Sequence, residues 1–160
     1  MTFGTGGQVT YWSGPIDTIS GSTTKDRCAQ WDYIWQIDKR TIQDFVLRFE
    51  AGNIRTRADV PEQILYWPGR RNRYLAARPE KPLTEADLNF QTARFVDKNR
   101  DGIYDPLAGD YPQLPGDKGR NPGDINSAAD QSLFFVNNDQ GNTKNLGNFQ
   151  RADAIGMEIH

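Results

Sequence analysis

The sequence predicts a loop-rich α+β domain with short helices and a small antiparallel sheet. Only 36% of the 160 residues are hydrophobic and 15 Gly and 9 Pro interrupt the apolar patterns, so much of the chain is expected in loops. Aromatic residues make up 11% of the chain, which argues against disorder because each buried ring removes a large apolar area from water. At this length a single domain is expected, with a helical and aromatic part over about 1–90 and an acidic loop and C-terminal strands over about 91–160.

The first predicted element is a short strand over 8–12, where Val9 and Tyr11 alternate with Thr10 and Trp12. A polar loop is expected over 17–27. The aromatic cluster at 31–37 fits either a strand or a helix, and its composition favours an extended or irregular core segment.

Three helices are predicted. The longest begins at Thr41, where Thr41 and Asp44 form a capping-box pattern, and ends at Gly52. Its buried face is expected to contain four apolar residues at helical spacing, namely Ile42, Phe45, Val46 and Phe49. A short helix is predicted after Pro61, and another after Thr84, because Pro at the first turn and a capping Thr both favour helix starts.

The remaining predicted strands lie at 95–96, 132–136 and 155–160, and the last two would form an antiparallel pair. The strand at 155–160 runs to the last residue without a turn or cap. Because a domain seldom stops within a strand, the sequence predicts a fragment of a longer protein whose next residues complete the sheet. The open edge of this strand favours pairing with another copy of the chain, and hence a homodimer.

The most specific pattern is the acidic loop at 97–110, where oxygen-bearing side chains occupy every second position around one glycine. Calcium takes about six to eight oxygen ligands, and loops of this kind supply them from alternate side chains and a backbone carbonyl. Position 108, where a helix-loop-helix calcium site has a bidentate Glu, is Ala108, but Asp110 can close the site. We therefore predict a calcium site formed by Asp97, Asn99, Asp101, Ile103, Asp105 and Asp110. The alternative is an Asx-rich turn, because Asp, Asn and Gly also cluster where side chains bond to nearby backbone.

Composition excludes several classes of function. The net charge of −2 provides no field for nucleic acid or anionic membranes, and no apolar run approaches the roughly 20 residues of a membrane span. The only cysteine, Cys28, excludes an intramolecular disulfide and a multi-cysteine zinc site. The only histidine, His160, is the last residue, which argues against histidine-based catalysis, and no enzyme activity is predicted.

Four tryptophans form a candidate stacking platform for a glycan, because flat aromatic faces bind apolar ligand surfaces at low entropic cost: Trp12, Trp31, Trp35 and Trp67. In a chain poor in aliphatic residues, the core is the favoured location for these rings. The arginines of 70–78 lie beside aromatic residues, as in RNA-binding segments. Without a basic overall charge, a solvated loop is the favoured interpretation.

Several segments, in this order along the chain, resemble a region of large, uncharacterised secreted proteins of Bacteroidetes that carry a C-terminal type IX secretion sorting domain. The segments are Tyr11 to Asp17, Cys28 with Trp31, Asp32 and Trp35, Ile64 to Pro68, Phe95 to Pro112, Asp130 to Asp139, and Ile155 to His160. The resemblance covers most of the chain and is most specific over 97–112, while an insertion at about 118–129 departs from it. It implies an exported or surface-anchored, β-rich ectodomain, and it assigns no catalytic residue.

Together these observations predict a non-catalytic, calcium-stabilised structural or adhesion module of a secreted or cell-surface protein. The alternative is a carbohydrate-binding module, or a fragment of a polysaccharide-acting enzyme, that uses exposed tryptophans. A glycan or another protein would be the partner of such a module.

Overall fold

The computed structural model describes residues 3–5, 8–17, 20–84, 87, 90, 93–119, 122–140 and 156–159. The α+β, loop-rich fold predicted from the sequence is confirmed. The chain forms two compact units, one made of Met1–Ile34 and Phe134–His160 and the other of Trp35–Leu133. No helix among the described residues is long and apolar enough to cross a membrane.

The first unit contains antiparallel strands. Strand β1 (Phe3–Thr5) pairs with β2 (Gln8–Ser13), which in turn pairs with the C-terminal end of β6 (Gln131–Asn138). Strand β7 (Gly156–Ile159) pairs with β6 in antiparallel register, from Phe135 opposite Ile159 to Asn138 opposite Gly156. The strands predicted at 8–12 and 132–136 and their C-terminal partner are therefore confirmed. The predicted ends of that partner, Ile155 and His160, lie outside the described residues, and the homodimer through its edge stays a prediction.

The segment at 17–38 differs in part from the prediction. Helix α1 (Lys25–Trp31) begins within the expected polar loop, and its cap Thr24 accepts a hydrogen bond from the Arg27 N–H at 3.2 Å. This seven-residue helix has too few apolar positions to produce a periodic signal. The extended interpretation of 31–37 is confirmed at its end by strand β3 (Trp35–Asp38) and is wrong at its start, because Trp31 is the last residue of α1.

Helix α2 (Lys39–Glu50) begins two residues before the predicted start. Its N-cap is Asp38, whose two oxygens accept the N–H and the hydroxyl of Thr41, each at 2.8 Å. The predicted capping box that starts at Thr41 is therefore wrong, because the carboxylate three residues earlier already occupies the donors of Thr41. The expected inward face is confirmed for Ile42, Phe45 and Val46.

The second unit also contains helix α3 (Glu62–Leu65) and a two-stranded antiparallel sheet of β4 (Phe95–Val96) and β5 (Tyr111–Pro112). The short helix after Pro61 and the strand at 95–96 are thus confirmed. At the third predicted helix, the Asp87 carboxylate accepts the N–H and hydroxyl of Thr84, at 3.0 and 2.7 Å, while the positions around Asp87 lie outside the described residues. The acidic loop at 97–110 is the connection between β4 and β5, so the sheet fixes both of its ends.

Candidate metal centre

Asp110 ties the two ends of the loop together. Its Oδ1 accepts the Lys98 N–H and its Oδ2 accepts the Asp105 N–H, both at 2.8 Å. The residue has no exposed surface, although it carries a carboxyl group. Asp110 therefore lies inside the loop, where the sequence predicted the closing ligand.

Asp97 organises the first turn of the loop. Its two oxygens accept the N–H groups of Arg100 and Gly102, at 2.6 and 2.8 Å. Gly102 has a φ of +74° and Arg100 one of +62°, so the chain reverses through two left-handed residues. The glycine predicted to permit the reversal does so, together with an arginine that the sequence pattern did not single out.

Asn99 and Asp101 form a second set of local bonds. The Asn99 side-chain Nδ2 donates to Asp101 Oδ2 at 2.8 Å, and the Asp101 backbone N–H donates to Asn99 Oδ1 at 3.1 Å. The Ile103 N–H donates to Asp101 Oδ1 at 2.7 Å. The bonds from the Asp101 and Ile103 N–H groups are Asx-type bonds between backbone and side chain, so one oxygen of Asn99 and one of Asp101 face the loop backbone.

The charges of the loop act on one another. Burial raises the pKa of Asp110 to about 6, against the lowering effect of the N–H groups of Asp105 and Lys98, and the charges of Asp97 and Asp101 raise it further. A carboxylate that loses water and faces like charges favours its protonated form. The carboxylates of Asp97, Asp101 and Asp110 therefore form one electrostatic group.

Tyr104 anchors the loop to the core of the second unit. Its ring is 1% exposed and meets the Phe95 ring edge-on at 5.3 Å between centroids, and its hydroxyl donates to the Ile64 carbonyl at 2.7 Å. Burial raises the Tyr104 pKa well above its ordinary value, and the charges of Asp110 and Asp105 raise it further. The hydroxyl is thus a fixed neutral donor.

Asp105 makes contacts that the alternating pattern did not predict. Its Oδ2 lies 2.9 Å from Arg73 Nη2, and its Oδ1 accepts the Leu107 N–H at 2.9 Å and the Tyr74 hydroxyl at 3.2 Å. It caps the 3-10 turn Pro106–Ala108. Both oxygens of this predicted ligand are therefore engaged with groups other than the remaining predicted ligands.

The described part of the chain contains no group of three or more His, Cys, Asp or Glu side chains arranged to hold a metal ion. The loop instead has the hydrogen bonds of an Asx-rich turn, the alternative that the sequence left open. Of the six predicted ligands, Asp97, Asn99, Asp101 and Asp110 form hydrogen bonds within the loop, although Asn99 and Asp101 are exposed. Asp105 pairs with Arg73, and the Ile103 side chain is 39% exposed.

The predicted tryptophan platform is wrong for three of its four members. Trp31, Trp35 and Trp67 are at most 3% exposed, and only Trp12 is half-buried. The Trp67 indole N–H donates to the Arg94 carbonyl at 3.0 Å, which satisfies its polar atom inside the core. Trp35 and Trp67 belong to the core of the second unit, together with buried aliphatic residues such as Ile37, Ile64 and Leu75.

The arginines of 70–78 are not a uniform solvated group. Arg70, Arg71 and Arg73 are exposed, whereas Arg78 is buried with its guanidinium 5.2 Å from the Trp35 ring centroid. Arg78 also donates to the carbonyl of Glu80. Sequence spacing gave no signal that separates this structural arginine from its exposed neighbours.

An open cleft of about 510 Å³ lies at the start of α2 and is lined by Asp38, Arg40, Thr41, Asp44, Pro61, Glu62 and Gln63. Both oxygens of Asp38 accept hydrogen bonds from Thr41, because this carboxylate is the N-cap of α2. The Asp44 carboxylate lies 3.8 Å from the Arg48 guanidinium on the same helix.

Comparison with protein-family models, curated proteins and solved structures found no match to this chain. The functional inference therefore rests on the loop and on the residues that surround it.

Proposed function

We propose that this chain is a non-catalytic structural or adhesion module of a secreted or cell-surface protein, and that calcium bound in the 97–110 loop stabilises its fold. The observation that carries the proposal is the fully buried Asp110 carboxylate, whose pKa is raised to about 6 in part by the charges of Asp97 and Asp101. Within the described residues, no Lys or Arg side chain forms an ion pair with these three carboxylates. A divalent cation would offset their mutual repulsion.

The donor chemistry of the loop favours a hard cation. All candidate ligand atoms are oxygens, from Asp97, Asp101, Asp110, the Asn99 amide and the Ile103 carbonyl, and calcium prefers oxygen ligands. A carboxylate has about four acceptor positions, and each of the three carboxylates uses two for hydrogen bonds within the loop. Lone pairs therefore remain for a metal ion without loss of the Asx-type bonds.

The secreted or surface setting rests on the resemblance described above. Calcium sites of extracellular modules have dissociation constants of about 0.1–1 mM, an affinity that a small loop with few carboxylates can supply.

Thermal unfolding in calcium and in chelator tests the proposal. A ligand that binds only the folded state, present at about 100 times its Kd, stabilises that state by roughly 2.7 kcal/mol. We expect Tm to rise with calcium, to rise less with magnesium, which demands a tight octahedron, and to fall with chelator.

Two substitutions in the loop and one control locate the site. Asp101→Ala is expected to abolish the calcium response more completely than Asp105→Ala, because Asp101 lies beside the turn glycine whereas Asp105 is engaged by Arg73. Asp44→Ala, which removes an exposed carboxylate from α2, should leave the response unchanged. If the wild-type Tm is indifferent to millimolar calcium and to chelator, the loop is only an Asx-rich turn and the proposal fails.

A further inference from the structure

Three exposed arginines lie together in the second unit. A backbone bridge pairs Gly69 with Ala93 in parallel register, so Arg70 and Arg94, which follow the two paired residues, are neighbours across this bridge. Arg71 is the next residue after Arg70. All three arginine side chains are exposed, and the group they form is called the arginine surface below.

The turn that carries two of these arginines is firmly held by the core. The Gly69 carbonyl accepts the Asn72 N–H at 3.1 Å, and the Arg70 carbonyl accepts the Tyr104 N–H at 2.8 Å. Asn72 is fully buried, and its Nδ2 donates to the Trp67 carbonyl at 2.7 Å. The backbone of the turn is therefore fixed, while its arginine side chains extend from it into solvent.

None of the three guanidinium groups is neutralised by a carboxylate of the described chain. Arg70, Arg71 and Arg94 form no ion pair and no side-chain hydrogen bond with any residue that the structure describes. Arg73, the next arginine along the segment, differs because Asp105 pairs with it. The arginine surface therefore presents local positive charge on a chain whose net charge is −2.

Arg71 has an unfavourable backbone conformation. Its φ is +58°, in the left-handed region that glycine and asparagine adopt more readily than arginine does. Its side chain forms no bond within the described structure that would offset this conformational cost. Residues held in such conformations are concentrated at functional sites, so Arg71 is a candidate contact residue for a ligand.

We propose that the arginine surface binds an acidic polysaccharide, with the guanidinium groups paired to its carboxylate or sulfate groups. The turn and the bridge carry no exposed large apolar side chain, so a protein partner would lack the apolar core of an ordinary interface. They also carry no exposed aromatic ring on which the bases of a single-stranded nucleic acid would stack. A chain of sugars with repeated anionic groups requires only the guanidinium groups that this surface offers.

Binding to polysaccharides of defined charge, measured by calorimetry in chelator and at low salt, tests the arginine surface separately from the proposed calcium site. The probes are polygalacturonate, which carries carboxylates, chondroitin sulfate, which carries carboxylates and sulfates, and uncharged dextran. We expect the wild type to bind at least one of the acidic polysaccharides and not dextran. The Kd should rise with salt, because the contacts are exposed charge pairs.

Three variants and one control locate the binding surface. Arg70→Gln, Arg71→Asn and Arg94→Gln are each expected to raise the Kd by about two- to five-fold, the range that corresponds to loss of an exposed ion pair. Arg71→Asn should have a Tm equal to or above that of the wild type, since asparagine tolerates the left-handed region, so its weaker binding would not reflect unfolding. Arg57→Gln is the matched control, because it removes the same charge from another exposed position of the second unit, and its effect should be smaller.

Three results would overturn the proposed surface. They are a wild type that binds neither acidic polysaccharide, a loss of affinity in Arg57→Gln as large as in the three variants, and tighter binding to a single-stranded oligonucleotide or to phosphatidylglycerol vesicles than to either polysaccharide. Binding of an acidic polysaccharide by a protein whose Tm is indifferent to calcium would leave the arginine surface in place and overturn only the calcium site.

Discussion

Replacing Gly69 by Ala is expected to destabilise the protein through a collision with Tyr104. A Cβ at position 69 would lie 2.7 Å from Cγ and 2.8 Å from Cβ of Tyr104, closer than real contacts allow. These atoms adjoin the Tyr104 backbone, and the ring is fixed by burial and by its hydrogen bond to Ile64. The overlap can be relieved only by a shift of the backbone at residue 69 or of the 97–110 loop at Tyr104.

Two other glycines separate the effect of backbone conformation on stability from the effect of steric overlap. Gly102 has a φ of +74°, and no described atom lies within 4 Å of an added Cβ, so Gly102→Ala tests backbone conformation alone. Gly109 has a φ of +98°, and its added Cβ would lie 2.7 Å from the tip of the half-buried Phe49 ring, which can move. We expect losses of about 1 kcal/mol for Gly102→Ala, about 2 kcal/mol for Gly109→Ala and about 3 kcal/mol for Gly69→Ala, where overpacking acts on a rigid neighbour.

Urea unfolding in chelator, followed by tryptophan fluorescence and by circular dichroism, measures these differences as shifts of the midpoint at constant m. The reasoning is refuted if Gly69→Ala destabilises no more than Gly102→Ala. Such a result would mean that Tyr104 does not pack against the backbone at residue 69, and that the loop is not anchored in the way described.

Two further predictions concern pH and the cap of α2. The Asp110 pKa of about 6 in the folded protein exceeds the unfolded value of about 3.9, so the folded state binds more protons between these values and the Asp110 contribution to stability is lost as pH rises through 6. In chelator, the wild type should therefore lose about 2 kcal/mol more stability between pH 4.5 and 7.5 than Asp110→Asn does, and equal slopes in calorimetry would contradict the burial of this charge. Asp38→Ala should cost about 1 kcal/mol and more than Thr41→Ala, because Asp38 is the acceptor for both donors of Thr41. If urea unfolding shows a larger loss of stability for Thr41→Ala than for Asp38→Ala, Thr41 is the N-cap.

Local patterns predicted most of the elements. The alternation over 8–12, the apolar, β-prone run over 132–136, the apolar face of α2 and the turn glycine at 102 depend on residues within a few positions of one another. The structure contains strands β2 and β6, helix α2 and a positive φ at Gly102. The N-cap of α2 was assigned to Thr41 and not to Asp38, because Asp and Thr are both common N-cap residues and either can accept a backbone N–H three positions later. Only the hydrogen bonds of Asp38 decide between them.

The sequence by itself determined the acidic loop, because its spacing and its glycine lie within fourteen consecutive residues. Strand β5, with which β4 pairs beyond the loop, had no signal in the sequence. The tertiary structure decided what surrounds each oxygen. Arg73 reaches Asp105 across 32 positions, and Asp110 loses its solvent, because packing brings distant segments together and local spacing carries no record of it. Packing also buries Trp31, Trp35 and Trp67, because the burial of a side chain depends on its neighbours in space and not on its neighbours in sequence.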